Sequence, residues 1–268
     1  MPDKRAFPQH RTRSAYADLA DELARARAEV RVLEAGPWRA KVTNVDEAYQ
    51  IQSQLAARAG NAVRAWKITA LSIEQQRDYL TDRPVAGALL SPFVHAAPAV
   101  LSAARFVAPL LECEVAFLLG VDLPPRDQTY TRSEIEQAVE AIVPAMEIAD
   151  SRWPADVPDL LKLADSMGNG AFIAGTPVRD WRRLDLDNLA VTLTHDGSVT
   201  ECGSGARILG NPLLAVMALA NAQPLPAGGL KRGQIVTTGS CTTPIPPKPG
   251  VYVAEFGALG TLRLNFVP

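Results

Sequence analysis

After Ser91 the sequence is a succession of short β-type runs separated by glycine and proline turns, and this texture constrains the fold most. The predicted runs are Ala99–Phe106, Leu110–Leu118, Ala171–Ile173, Ala190–Thr194, Gln234–Thr238, Tyr252–Phe256 and Thr261–Phe266. The tripeptide His195-Asp196-Gly197 is typical of a hairpin turn. Only two helices are predicted in this region, Arg132–Ala141 and Pro212–Asn221, the second with Asn211 as its cap. The pattern therefore predicts a mainly β core with helices outside it.

The segment before this core is rich in strong helix formers. Ser14–Leu33 has apolar residues at helical spacing, and Gly36-Pro37 should end that helix. A second helix is expected over Asp46–Ala59, with Asn44 as its N-cap. The alternation in Ala62–Ile68 then predicts a short strand.

The chain has 268 residues, enough for one large domain or for a core with a smaller appendage. The change of texture predicts an α+β protein, with a mostly helical N-terminal lobe over residues 1–90 and a β-rich catalytic core over residues 91–268. Hydrophobic residues make up 47% of the chain, which is ordinary for a protein that buries a core.

Composition also excludes several classes of function. A net charge of −2 without a clustered basic face argues against a nucleic-acid partner. Three cysteines without a C-x-x-C pair argue against a disulfide framework or a thiolate zinc site. We find no signal-peptide h-region and no apolar stretch of about 18 residues, so we expect neither secretion nor membrane insertion, and a cytoplasmic location.

Two glutamates stand two residues apart in the apolar run Leu110–Leu118. Because side chains alternate along a strand, Glu112 and Glu114 are expected on the same face. Buried together they would repel each other and lose solvation, and a divalent cation would relieve both effects. Oxygen ligands suit Mg²⁺ or Mn²⁺ better than zinc. The alternative is a strand that shows its glutamates to solvent.

A third acid stands in another apolar run, Met146–Arg152. Glu147 and Asp150 are both candidates, and Glu147 has the larger apolar neighbours. We expect Asp150 to form a structural ion pair with Arg152. Lys67, between Trp66 and Ile68, is a candidate to bind a substrate carboxylate, stabilise an enolate or transfer protons. Its alternative is a surface lysine that extends to solvent.

These acids and several other segments resemble the 2-hydroxypenta-2,4-dienoate hydratase and 4-oxalocrotonate decarboxylase family of the fumarylacetoacetate hydrolase superfamily. The segments that carry the resemblance are Glu47–Gln52, Trp66–Ile68, Gly87, the two acidic stretches, Gly203–Gly205, Leu209–Leu213, Leu230–Ser240 and Ala254–Gly260. They follow in the family's order from about residue 44 to the C-terminus.

The resemblance implies a mixed β-roll core with an N-terminal helical lobe, usually in a homo-oligomer. It implies that Glu112, Glu114 and Glu147 bind Mg²⁺ or Mn²⁺. Glutamate at position 147, within an E-x-x-D-S-R run, is more similar to the hydratase and decarboxylase branch than to the hydrolase branch.

Two departures from the family pattern affect groups around the metal. The family often carries an aspartate where this chain has Val85, while Asp82 matches an acid slightly earlier and is our candidate for a catalytic group. In the second departure, Gly168 and Asn169 replace the paired serines of a loop of the family. The candidates for binding substrate are Lys67, Ser166, Asn169, Thr238 and Ser240.

The predicted function is a metal-dependent lyase that adds water to a 2-hydroxy-dienoate or 2-oxo-enoate, as in the breakdown of aromatic hydrocarbons after meta-cleavage. The alternatives are decarboxylation of a 2-oxo-3-enedioate, carbon–carbon hydrolysis of an acylpyruvate, and a weakly active subunit that supports such an enzyme in a complex. The expected partners are a small 2-oxo acid, further copies of the chain and, in the last case, a pathway enzyme.

Overall fold

Two β-sheets and six α-helices make up the computed structural model, which describes residues 15–60 and 63–268. The strands are β1 (Val63–Thr69), β2 (Val85–Leu90), β3 (Val94–Ala96), β4 (Ala99–Ser102), β5 (Leu110–Leu119), β6 (Val139–Ala149), β7 (Asn169–Ala174), β8 (Ala190–His195), β9 (Ser198–Ser204), β10 (Ile235–Ser240), β11 (Gly250–Glu255) and β12 (Thr261–Val267). The helices are α1 (Ala15–Ala28), α2 (Val45–Arg58), α3 (Ile73–Asp78), α4 (Arg132–Ala138), α5 (Asp159–Ala164) and α6 (Pro212–Asn221). The predicted α+β class is therefore confirmed.

The larger sheet has seven strands in the order β2-β1-β10-β5-β6-β7-β3. It is mixed, because β1 pairs with β10 and β3 pairs with β7 in parallel while its other pairs are antiparallel. The sheet curls so that β2 also contacts β7. The second sheet, of five strands, has the order β4-β12-β11-β8-β9. Side chains of both sheets, such as Trp66, Phe117, Tyr252 and Phe266, form one buried core.

Helices α1, α2 and α5 share a second apolar cluster, which includes Leu19, Leu23, Ile51 and Leu161. The buried side chain of Gln52 connects this cluster to the larger sheet. Its amide donates to the carbonyls of Ala86 in β2 and Leu163 in α5, and its oxygen accepts from the backbone of Ala88. Because a buried amide needs these partners, Gln52 sets the position of α2 against β2.

Several predicted elements are confirmed. Asn44 caps α2 and Asn211 caps α6, whose first residue is Pro212. The hairpin turn at His195–Gly197 joins β8 to β9. The predicted starts Ser14 and Ala62 lie outside the described residues. None of the helices in the described part of the chain is long and apolar enough to cross a membrane.

Other predicted bounds are wrong. The first helix ends at Ala28 rather than near Leu33, because the chain turns at Val30 with a φ of 51°. The helix after Thr131 ends at Ala138, where β6 begins and the β-branched Val139 continues an extended run. The end of the run Ala99–Phe106 is a 3₁₀ turn rather than a strand.

The prediction of only two helices after Ser91 is also wrong, since α5 is a third. The apolar run that contains Glu147 belongs to a strand of eleven residues, β6. Strands β1 and β2 lie within residues 1–90 and join the larger sheet. The division of the chain at residue 90 stays a prediction.

We predict that Gly203→Ala destabilises the fold. A Cβ at Gly203 would lie 1.8 Å from the carbonyl oxygen of Cys241. The backbone of Cys241 is itself held in place, because its N–H donates to the carbonyl of Cys113 in β5. Relieving this clash must move backbone, so we expect a loss of about 1–3 kcal/mol in urea unfolding. The matched control is Gly36→Ala, where a Cβ meets nothing within 4 Å and stability should stay within about 0.5 kcal/mol. Equal stability of the two variants would contradict this packing.

Candidate active site

Three glutamates meet on one face of the larger sheet, which we call the inner face. Strands β5 and β6 are antiparallel, and Glu112 lies directly opposite Glu147. Glu114 lies two residues further along β5, on the same side. Opposite residues on antiparallel strands have Cβ atoms about 5 Å apart, so the first two carboxylates are immediate neighbours. Glu114 and Glu147 are fully buried, so the solvent-facing alternative for the strand of Glu112 and Glu114 is wrong for Glu114.

Few groups compensate these acids. Lys67 Nζ lies 3.0 Å from Glu147 Oε1, and Asn169 Nδ2 donates to the same oxygen at 3.1 Å. Both carboxylate oxygens of Glu114, and Oε2 of Glu147, have no hydrogen-bond partner among the described residues. Buried polar atoms in native proteins are almost always satisfied, so these three oxygens indicate a place where a ligand would bind.

Lys67 reaches the acids because β1 lies between β2 and β10, where Lys67 is opposite Gly87 and Thr237. Its side chain is 12% exposed and ends at Glu147, so it does not extend to solvent as the alternative proposed. Burial alone would lower the pKa of Lys67, but the negative charges of Glu147, Glu112 and Glu114 outweigh burial and raise it. Lys67 therefore stays protonated.

The same crowding also raises the pKa values of the acids, which favours their neutral forms. Burial, followed by the charges of Glu147 and Glu112, raises the pKa of Glu114 well above its ordinary value. Burial also raises the pKa of Glu112, against the favourable charge of Lys67. Lys67 alone does not neutralise the three carboxylates. Glu112 and Glu114 therefore hold protons more readily than ordinary glutamates do.

The surroundings of the acids are apolar. A buried cluster extends along the inner face and consists of Ala65, Leu89, Ala116, Val143, Ala145 and Phe172. Glu112 is only half-buried, so solvent reaches the acids from its side. A small polar ligand entering there would be held between the acids and an apolar floor, a common arrangement in small-molecule sites.

A tight turn at Ser166–Gly168 brings Asn169 to Glu147. Ser166 and Met167 have φ angles of 51° and 59°, and Gly168 follows with 66°. The turn approaches β2 at Gly87, where a Cβ would lie 2.5 Å from the carbonyl oxygen of Ser166. Glycine at position 87 therefore permits the contact that lets the Asn169 side chain reach Glu147.

The predicted ion pair between Asp150 and Arg152 is wrong. Arg152 instead binds Asp165, with Nη2 and Nε at 2.6 and 2.9 Å from Oδ1, and it donates to the Asp150 and Asn169 carbonyl oxygens. The Asp150 carboxylate accepts the backbone N–H groups of Val107 and Ala108. Arg152 thus pairs with Asp165, which precedes β7, and not with Asp150, which is nearer in the sequence.

Thr238 is buried in β10, and its hydroxyl donates to the carbonyl of Val115 at 2.7 Å. That it binds substrate stays a prediction. The preceding residue, Thr237, is opposite Ala116 and Lys67 on the inner face, and its buried hydroxyl has no partner in the described chain. The pairing register of β10 shifts between Thr237 and Ser240, so strand alternation in the sequence does not decide which threonine faces the acids.

The other two candidates differ in position. Ser240 lies opposite Glu114, and its hydroxyl donates to the carbonyl of Thr242. Asp82 is exposed in the loop before β2, where it lines a surface cavity with Arg77, Arg83 and other residues and makes no contact with the acids in the described structure. The structure thus brings Ser240 to the acids and leaves Asp82 apart.

The carboxylates offer hard oxygen donors that fit a cation such as Mg²⁺. Within residues 15–60 and 63–268, no group of three His, Cys, Asp or Glu side chains has an arrangement that could hold a metal ion as it stands. Oε1 of Glu147 accepts from Lys67 and Asn169 instead, while the three unpartnered oxygens remain available.

Comparison with known proteins decides the family. The 2-keto-4-pentenoate hydratase of Paraburkholderia xenovorans is 32% identical over 230 residues, which cover 83% of this chain and 84% of that protein. The chain belongs to this family. A 4-oxalocrotonate decarboxylase of a Pseudomonas species is 33% identical over 168 residues, 60% of this chain and 62% of the relative. No protein-family model matches the chain.

Solved structures agree on the fold. The 4-oxalocrotonate decarboxylase of Pseudomonas putida G7, complexed with magnesium and adipate, has a TM-score of 0.81 at 23% identity and covers 94% of this chain and 97% of its own. The prediction of the hydratase and decarboxylase family is thereby confirmed. Both named activities are lyase reactions, so the predicted enzyme class is confirmed as well.

For this member of the family we predict an unusual dependence of stability on pH. In metal-free buffer with EDTA, the free energy of unfolding should fall as the pH rises from about 5 to about 8. The reason is that the pKa values of Glu112 and Glu114 are raised above the ordinary value of 4.5, so the folded protein holds protons that the unfolded chain has lost. Urea unfolding at several pH values measures the slope.

Glu114→Gln should flatten this slope and raise stability near the upper end of the range, because it removes a buried acid that must ionise. Glu255→Gln, a change at an exposed strand end, is the control and should keep the wild-type slope. A wild-type stability that increases over this range, or an unchanged slope in Glu114→Gln, would contradict the burial of ionisable charge.

Proposed function

We propose that the chain is a divalent-metal-dependent hydratase that adds water to a 2-hydroxy-dienoate or 2-oxo-enoate. The observation that carries the proposal is the trio Glu112, Glu114 and Glu147, with three buried oxygens that lack a partner among the described residues. We assign these glutamates as the ligands of one Mg²⁺. The name of the Paraburkholderia relative and the magnesium complex of the structural neighbour support the assignment.

Bound at these carboxylates, Mg²⁺ supplies a Lewis acid that favours negative charge on the 2-oxygen of the substrate. Lys67 adds a fixed positive charge beside Glu147, and we assign it to the substrate carboxylate or to the enolate oxygen. The apolar floor excludes bulk water, which strengthens both interactions. Together these groups favour an enolate over the neutral keto acid.

Other side chains of this face orient the substrate. Asn169 presents its amide at Glu147 Oε1, and Ser166 lies in the same turn. The hydroxyl of Thr237, which has no hydrogen-bond partner among the described residues, joins the predicted Thr238 in our assignment, and Ser240 lies opposite Glu114. Asp82 remains a predicted proton-transfer group on its exposed loop.

Decarboxylation of a 2-oxo-3-enedioate is the second candidate. It is favoured by the decarboxylase relative at 33% identity, and its chemistry needs the same enolate. The residues assigned above serve both reactions, so the product distinguishes them.

We also propose the wider setting of the enzyme. An N-terminal helical lobe within residues 1–90, built around α1 and α2, would cover the β-rich core of residues 91–268. The enzyme would act in the cytoplasm as a homo-oligomer. The three-helix cluster of α1, α2 and α5 supports the lobe.

We predict turnover of 2-hydroxypenta-2,4-dienoate by the purified chain in the presence of Mg²⁺, followed by loss of the dienol's ultraviolet absorbance. Hydration gives a 4-hydroxy-2-oxo acid without CO₂, whereas CO₂ release from a 2-oxo-3-enedioate supports the decarboxylase. Glu114→Gln and Glu147→Gln should each lower kcat/KM by at least about 10²-fold and lower bound Mg²⁺.

The matched control is Glu140→Gln. Glu140 also lies on β6, but it pairs with Arg179 at the surface, so activity and bound Mg²⁺ should stay at the wild-type level. The proposal fails if several dienols and enedioates are not turned over, or if both site variants retain Mg²⁺ and activity.

A further inference from the structure

A second cavity, of about 280 Å³, lies between α1, β3 and the start of β7. None of the three glutamates lines it. Its wall carries the guanidinium groups of Arg27, Arg105 and Arg152 and the imidazole of His95, against the single carboxylate of Asp150. The cavity is therefore rich in positive charge.

Two of these charged groups are already compensated. Arg152 is fully buried and bound to Asp165, and the Asp150 carboxylate accepts two backbone N–H groups. Arg27 and Arg105 are different, because neither forms an ion pair with any residue in the described ranges. An arginine whose guanidinium fork is not bound to a carboxylate can bind an external anion.

Arg27 is half-buried in this position. It donates to the carbonyl oxygens of Asn169 and of Gly170, the latter at 3.2 Å, and its guanidinium carbon lies 4.0 Å from the centre of the Phe93 ring. Burial, then the charge of Arg152, lowers the pKa of Arg27 to about 9, so it remains charged at neutral pH. The negative charges of Asp165 and Asp150 offset only part of this effect, and a bound anion would offset more of it.

His95 contributes a donor rather than a second charge. Burial and the nearby Arg105 lower its pKa, so at neutral pH it is a neutral ring with one N–H. Arg105 is exposed at the cavity rim and makes no hydrogen bond or ion pair within residues 15–60 and 63–268. The wall thus offers two guanidinium groups and one imidazole around a space large enough for a small ligand.

We propose that this cavity binds a small oxyanion, a carboxylate or a phosphate group, between Arg27 and Arg105. Guanidinium groups bind the paired oxygens of both groups through parallel charge-assisted hydrogen bonds. The competing explanation is that Arg27 serves only to hold the backbone of Asn169 and Gly170. Arg105 distinguishes the two, because it faces the cavity and holds no backbone.

The test is calorimetric titration of the full chain with inorganic phosphate and, separately, with succinate. Metal ions are removed with EDTA, and the protein is then exchanged into metal-free buffer without EDTA, because EDTA is itself a carboxylate anion. No metal ion at the glutamates then attracts the anion, and a failed hydratase assay leaves the outcome meaningful. We expect saturable binding of at least one anion. Arg105→Gln should weaken it about tenfold, as expected for one lost charge-assisted bond.

Arg27→Gln should weaken binding at least as much. If the Arg27→Gln variant is unstable, Arg105→Gln still decides the test. The matched control is Arg25→Gln, because Arg25 lies on the same helix, is exposed and pairs with Glu22 at 2.7 Å. Tighter binding of phosphate or of succinate identifies the favoured anion. The proposal is overturned if neither anion binds, or if Arg105→Gln binds both as tightly as the wild type.

Discussion

Burial of three carboxylates on one face of a curled sheet is the constraint on which the rest of the structure depends. Among the described residues, the side chains that compensate these glutamates are Lys67 and Asn169, and both contact Glu147. The mutual repulsion of the carboxylates would expel them to solvent if the strands were free to slip. A one-residue slip of β5 would turn its glutamates to the opposite face, so the pairing register is as important as the residues themselves.

Features far apart in sequence secure this arrangement. Gly87 admits the turn of Ser166, and the buried pair of Arg152 and Asp165 holds the backbone from which Asn169 reaches Glu147. Because breaking a buried ion pair leaves an uncompensated charge, this support is more rigid than a surface contact. Stability and chemistry are thus linked through the segment between β6 and β7.

Local patterns were sufficient for part of this picture. Strand alternation predicted that Glu112 and Glu114 share a face, and capping residues predicted the start of α2 and α6. The pairing of Glu112 with Glu147 is a long-range contact that no local pattern contains. Arg152 shows the opposite failure, since its nearest acid in sequence is not its partner. At Thr237 and Thr238 the register of β10 decides, and that register shifts just after Thr237.

The most direct test of the central claim is a count of the protons released when Mg²⁺ binds. Calorimetric titration near neutral pH, in two buffers with different ionisation enthalpies, gives that number. We expect Mg²⁺ to bind and to release protons, because burial raises the pKa values of Glu112 and Glu114 and the ion must displace what they hold. A metal site built on buried glutamates would be contradicted if Mg²⁺ does not bind. It would also be contradicted if Mg²⁺ binds without releasing protons and binds equally well to the Glu114→Gln variant.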